Sequence, residues 1–152
     1  MKKISSGMTR FNKKVFPTIW FGFLAIFVLT AIPAGAAKAN PMFLIIPVVM
    51  AVFGFFMMKQ LVWDLVDEVY DYSDYLLIKN RGESERIPLT NVMNVSATTF
   101  SNPPRITLRL VKKGKFGNEI AFQPAGFSFN PFAKSPIAEN LMVRVDEARS
   151  RR

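Results

Sequence analysis

The chain has 152 residues and a net charge of +9, from 20 Lys and Arg against 11 Asp and Glu, with neither Cys nor His. That composition removes disulfides, thiolate chemistry, the usual zinc sites, Ser-His and Cys-His nucleophile pairs and any imidazole pH switch. All 11 acidic residues follow Trp63, and the first 58 residues carry six basic residues and no acid; such an excess beside apolar segments points to membrane topology rather than to nucleic acid, for which no binding motif is present.

Two uncharged apolar stretches, Val15 to Ala37 and Ala39 to Met58, are interrupted only by Lys38. At about 1.5 Å per helical residue each reaches about 30 Å, the thickness of a bilayer's hydrocarbon core. A transmembrane hairpin is predicted over 15–58, with spans over about 15–33 and 41–58. Lys2, Lys3, Arg10, Lys13 and Lys14 precede the first span, Lys59 follows the second, and the connecting loop has only Lys38. The positive-inside rule therefore predicts a cytoplasmic basic N-terminus over residues 1–14 and, after two crossings, a cytoplasmic C-terminal domain. The basic start, the apolar run from Ile19 to Ile32 and Ala34-Gly35-Ala36-Ala37 also fit a cleavable signal peptide. The second segment alone would still leave the C-terminal part cytoplasmic.

Pro33 and Gly35 discourage continuation of the first helix, and Asn40-Pro41 reads as an N-cap followed by a first helical position. Pro47 is internal to the second helix and predicts a modest kink. Neither span contains a charged residue, so an ion path or proton relay formed by this chain alone is not expected.

Beyond Lys59, the spacing of Leu61, Val62, Leu65, Val66 and Val69 predicts a helical connector over 59–67, with Trp63 at headgroup depth. Asp64, Asp67, Glu68, Asp71 and Asp74 make this junction locally acidic. The hydrophobic period then switches to two, predicting six antiparallel strands: Glu68 to Tyr72, Tyr75 to Lys79, Ser84 to Leu89, Val92 to Thr99, Arg105 to Lys112 and Asn118 to Gln123. Turns are signalled by Arg81-Gly82, Asn102 to Pro104 and Gly114 to Asn118. In the fifth strand Ile106, Leu108 and Leu110 face one side and Arg105, Thr107 and Arg109 the other, the alternation of a half-buried sheet. Ser135-Pro136 starts a last helix over about 136–150, with Ile137, Leu141, Val145 and Ala148 along one face. Residues 68–152 thus form one small domain.

Val69-Tyr70 with Tyr75-Leu76, the run Arg86-Ile87-Pro88-Leu89-Thr90-Asn91-Val92, Asn102-Pro103-Pro104-Arg105, Glu119-Ile120-Ala121-Phe122 and Asn140-Leu141 resemble bacterial membrane proteins that carry a pleckstrin-homology-like (PH-like) domain after a transmembrane hairpin. The resemblance implies an α+β membrane protein of the bacterial inner membrane: a PH-like antiparallel β-barrel or sandwich of about seven strands, capped by a C-terminal α-helix. It implies no reaction, since such domains generally work by binding.

Two candidate contact surfaces emerge. Arg105, Arg109, Lys112, Lys113 and Lys115 share a strand face and the following turn, and a basic cluster beside an anionic leaflet gains roughly 1 kcal/mol per near-surface cation. The same residues also suit an edge strand guarded against mispairing. Phe127, Phe129 and Phe132 alternate through a segment whose Gly, Asn and Pro argue against regular structure, a pattern suited to an interface or partner loop or to packing over the end of the sheet. Glu83, Glu85 and Glu119 with Ser96 or Ser101 show no spacing that singles them out for catalysis, and GxGxxG, P-loop, HExxH and GxSxG motifs are absent. The expectation is a non-enzymatic, membrane-anchored adaptor that binds or stabilises another membrane protein or a second copy of itself. No cofactor, metal, nucleic acid or small-molecule substrate is expected. An anionic-lipid surface sensor and an accessory subunit of a membrane enzyme or transporter are the alternatives.

Overall fold

The computed structural model describes residues 1–98, 104–126 and 135–151. The chain folds into two compact units: Arg10–Asp64, and a second made of Met1–Thr9 together with Leu65–Arg152.

The first unit is a helical hairpin. One π-helical turn, Phe11–Val15, runs into α1, Phe16–Ala31; a short α2, Ala36–Ala39, follows, and α3 spans Met42–Leu61. The side-chain oxygen of Asn40 accepts the Met42 N–H at 2.9 Å, satisfying one of the orphan donors at the start of α3. Pro47 lies inside α3. The two helices pack closely where Trp20 meets Gly54: a Cβ on Gly54 would sit 2.8 Å from Trp20 Nε1, so only glycine leaves room for the indole. Both helices are long and apolar enough to cross a membrane, and only 17% of each apolar stretch is buried. Phe23, Ile26, Leu29, Phe53 and Phe56 are among the side chains left exposed.

The helical spacing beyond Lys59 does not continue as a helix. Backbone angles of φ −126° and ψ −44° at Val62 take the chain out of α3. Leu65 instead lies in an extended bridge to Ala121, whose carbonyl accepts the Val66 N–H at 2.8 Å. Leu65, Val66 and Val69 are all buried, but from an extended segment lodged in the second unit. Spacing alone does not distinguish that from one face of a helix.

Among the described residues the second unit contains seven strands. β1 is Lys2–Lys3, β2 Glu68–Asp71, β3 Tyr75–Asn80, β4 Glu83–Pro88, β5 Val92–Thr98, β6 Arg105–Gly114 and β7 Gly117–Phe122. They form two antiparallel sheets, ordered β1-β2-β3-β4 and β5-β6-β7. Burial alternates along β3 and the first part of β6, whereas a register shift between Val92 and Asn94 separates the buried valines of β5 by two exposed residues and β7 buries Ile120, Ala121 and Phe122 in succession. Arg81 and Gly82, with φ of 53° and 87°, form the tight turn between β3 and β4, where a two-residue loop needs positive φ to match the twist of its strands. Helix α4, Pro136–Ser150, buries Ala138, Leu141 and Val145. These join Val69, Leu76, Ile78 and Ile87 of the first sheet and Val95, Ile106, Leu108, Ile120 and Phe122 of the second in one core.

The N-terminal basic tail is not a free tail. Residues 1–9 belong to this second unit. Lys2 and Lys3 pair with Asp71 and Tyr70 on β2, and the N–H groups of Ile4 and Ser5 donate to the Val69 carbonyl at 3.0 and 3.3 Å. On the other side, Ser6 N–H donates to the Gln123 carbonyl at 2.8 Å, and Ala125 N–H to the Ile4 carbonyl at 2.7 Å. The segment therefore lies between β2 and the end of β7 and joins the two sheets. Ile4, Ser5 and Thr9 are 3%, 2% and 0% exposed.

Among the described residues the expected barrel is not closed. Between β4 and β5 there is a 3-10 turn, Leu89–Asn91, in place of a ladder. Pro88 at the end of β4 has no N–H to donate, and Asn91 spends its side chain on the backbone of Lys112, donating to its carbonyl at 3.2 Å and accepting its N–H at 2.9 Å. The architecture is α+β: two apolar helices, two antiparallel sheets and a C-terminal helix.

Candidate functional site

The topology anchors divide between the two units. Lys2 and Lys3 are in β1, and Lys3 Nζ lies 2.8 Å from Glu68 Oε1. Arg10, Lys13 and Lys14 open the hairpin, and Lys59 lies in the last turn of α3. Trp63 ties these two ends together: its indole N–H donates to the Lys13 carbonyl at 3.2 Å, and its ring packs edge-on against Phe55 with centroids 5.3 Å apart. Arg10, Lys13, Lys14, Lys59 and Trp63 therefore mark the open end of the hairpin, and Lys38 marks its closed end.

Arg105, Arg109, Lys112 and Lys113 lie on β6, and Lys115 lies in the turn after it. It also brings acids among them. Arg109 donates through Nε and Nη2 to Glu119 Oε1, at 3.0 and 2.7 Å, from the directly paired position on β7. The Lys115 N–H donates to Glu85 Oε2 at 2.9 Å, and its ammonium lies 3.6 Å from Glu83 Oε2. Exposed pairs of this kind add little stability, but they neutralise charge locally. Three carboxylates thus offset part of the cluster, and Lys112 and Lys113 stand exposed near the end of β6. Glu83, Glu85 and Glu119 are accounted for in the same way, as partners of Lys115 and Arg109. Phe127, Phe129 and Phe132 lie outside the described residues.

Two features of the site region escape a reading by spacing. The first is an ion pair between elements 73 residues apart in sequence: Arg144 on α4 clasps Asp71 at the end of β2, Nη1 to Oδ2 at 2.5 Å and Nη2 to Oδ1 at 2.9 Å. Arg144 also donates to the Ser73 carbonyl, and Asp71 Oδ1 accepts the Ser73 N–H at 2.9 Å. Burial raises the Asp71 pKa, but the Arg144 hydrogen bonds, the Ser73 N–H and the Arg144 charge outweigh it and hold the carboxyl below its ordinary value. Hydrogen bonding to Asp71, against a smaller opposing effect of burial, raises Arg144 above its own. The donors and acceptors come from the end of β2, the turn after it and α4, which is the arrangement of a clamp holding α4 to the first sheet. The second feature is the outer face of that sheet, where Tyr70, Tyr72 and Tyr75 gather with Lys3, Lys79 and Arg86.

Compared with known protein families, curated proteins and solved structures, the chain matches none. Function has to be argued from its own geometry. Among the described residues no group of three carboxylates converges as a metal site would require. The Asp71 carboxylate is taken up by Arg144 and the Ser73 N–H.

Proposed function

We propose that this chain is a non-enzymatic, membrane-anchored binding module: a two-span hairpin fixed to a PH-like domain that holds or stabilises another membrane protein, or a second copy of itself, at the cytoplasmic face of a bacterial inner membrane. The observation that carries the proposal is the weaving of residues 1–9 into the folded domain. A domain built from both ends of the chain is joined to the hairpin through two connections, Thr9 to Arg10 and Asp64 to Leu65. It also requires both ends to lie on one side of the bilayer, which two crossings satisfy and one does not. The same pairing argues against signal cleavage after Ala37, since that would remove a strand whose Ile4 and Ser5 are buried.

Further support comes from the exposed apolar side chains of α1 and α3. A continuous apolar surface of this size is stable only against lipid or another apolar surface. The two sheets around one core and the helix α4 suit the PH-like reading, although the sheets do not close. Basic residues at the open end of the hairpin favour a cytoplasmic domain. Lipids and a protein are the partners this reading names; nucleic acid, cofactor and small-molecule substrate have no part in it.

The test is the size of the native complex. Full-length protein extracted in mild detergent should migrate as an assembly larger than one chain, and in-membrane cross-linking should trap the same assembly. Replacing Phe127, Phe129 and Phe132 together by Ala should shrink it. A lone monomer under both conditions overturns the proposal. Topology is checked separately, since the chain has no cysteine of its own: single cysteines at Lys38 and Asn118 should react with an impermeant thiol reagent from opposite sides of sealed membranes.

A further inference from the structure

The outer face of the first sheet carries a pattern that the adaptor reading does not use. Strand register places Lys3, Tyr70, Leu77 and Arg86 directly opposite one another across β1, β2, β3 and β4. Their neighbours Val69, Leu76, Ile78 and Ile87 point the other way, into the core. All three tyrosines of the chain share the outer face, with Tyr72 and Tyr75 stacked at 4.8 Å and nearly parallel. Cations lie over these rings: Lys3 and Lys79 at 5.8 and 5.2 Å from the Tyr70 centroid, and Arg86 at 5.5 Å from that of Tyr75. Lys3 is also paired with Glu68, so the surplus charge belongs to Lys79 and Arg86, both exposed.

We propose that this tyrosine, lysine and arginine face docks on anionic phospholipid headgroups. Three observations lead there. Its net charge is positive: on these strands Lys3, Lys79 and Arg86 share the face with one carboxylate, Glu68, which pairs with Lys3 and lies across the β2–β3 ladder from Lys79. Its side chains are amphipathic throughout: Tyr presents an apolar ring with a polar tip, and Lys and Arg lay apolar stems beside those rings while their charges reach outward, the composition that the water-lipid boundary favours. Finally, chain length keeps the face near the bilayer. Tyr70 follows the end of the hairpin so closely that an extended chain, at about 3.4 Å per residue, places it within about 20 Å of Asp64. The proposal rests on the two-span anchor but not on the identity of any protein partner.

The experiment uses the full chain, with a nitroxide on a single introduced cysteine at Leu77 or Ser84, both on the outer face of the first sheet, or at Val111 on β6. Each is reconstituted into vesicles of phosphatidylcholine alone or mixed with phosphatidylglycerol. Accessibility to a water-soluble nickel chelate is then read at low and high salt. In mixed vesicles at low salt the labels at Leu77 and Ser84 should be protected while Val111 stays open. High salt, or Lys79→Gln with Arg86→Gln, should restore access. Each near-surface cation shifts the docked ratio by roughly fivefold, so the double variant lowers it roughly 25-fold. Use of two labels guards against one substitution disturbing the fold. Equal access in both vesicles, protection at Val111 instead, or protection that appears only in native membranes and ignores phosphatidylglycerol each overturns the proposal; the last result would assign the face to a protein. Failure to float with phosphatidylcholine vesicles would defeat the anchor itself, a distinct outcome.

Discussion

Ile4 is the residue on which the joining of the two sheets can be tested most directly. It is 3% exposed, belongs to the core cluster, donates its N–H to Val69 and accepts from Ala125. Ile4→Ala leaves the backbone bonds possible but removes the buried side chain, which costs about 2–5 kcal/mol once the cavity is included. For a domain of about 100 residues each 1 kcal/mol lowers the melting temperature by roughly 4–8 °C, so a fall of at least about 8 °C is expected. Ser5→Ala acts by another route. It strips the acceptor from the Val69 N–H, which Ser5 Oγ satisfies at 2.9 Å in a buried setting, at about 1–3 kcal/mol. The two residues are neighbours, so the double variant should not be the sum of the singles. Among the described residues all strands are in this unit and none is in the hairpin, so the β-sheet amide I band of the full chain in micelles follows its melting. Hydrogen exchange at the Val69 and Ala125 amides should accelerate in both variants. Lys2→Ala, at an exposed position of the same segment, should stay within about 0.5 kcal/mol of the parent. Unchanged melting of Ile4→Ala, with Val69 and Ala125 amides already fast in the parent, would refute the placement of residues 1–9 and with it the case for both ends lying on one side.

The Asp71–Arg144 clamp predicts an acid-sensitive domain. Because the folded carboxyl has a lowered pKa, its stabilisation is full above the ordinary carboxylate range and is lost as pH falls through the lowered value. Asp71→Asn should weaken the domain near neutral pH by about 1.5–3 kcal/mol and flatten the acid limb of its stability profile, as measured by urea unfolding at several pH values. Gly54→Val should force α1 and α3 apart at Trp20, at about 1–3 kcal/mol, seen as a longer interhelical distance between spin labels; Trp20→Phe in the same chain should recover part of the loss. Gly82→Ala places a side chain at φ of 87° in the β3–β4 turn and should lower domain stability by about 1–2 kcal/mol in thermal melts, with the hairpin unaffected.

Where local chemistry fixes local structure, the sequence was legible. Alternation located β2 to β7, Arg81-Gly82 located a turn whose two residues both have positive φ, and Pro136 opened α4 where Ser135-Pro136 pointed. The misses share another origin. Residues 2–6 read Lys-Lys-Ile-Ser-Ser, too short and too polar for a strand signal, and their partners at Val69 and Gln123 lie far along the chain. Asp71 and Arg144 are likewise unremarkable charges until the fold brings them together. Leu65 and Val66 kept helical spacing by coincidence, because an extended segment covered on both sides buries consecutive residues as readily as a helix buries one face. The basic N-terminus shows why such misses matter for function. Read by charge alone, Lys2 and Lys3 report only which side of a membrane they stay on; in the fold, Lys3 also neutralises Glu68 and flanks Tyr70. The charge rule and the strand pairing are independent physical arguments, one electrostatic and one steric. They agree that any crossing made by α1 must be undone by α3, because a strand cannot be buried between β2 and β7 from the far side of a bilayer.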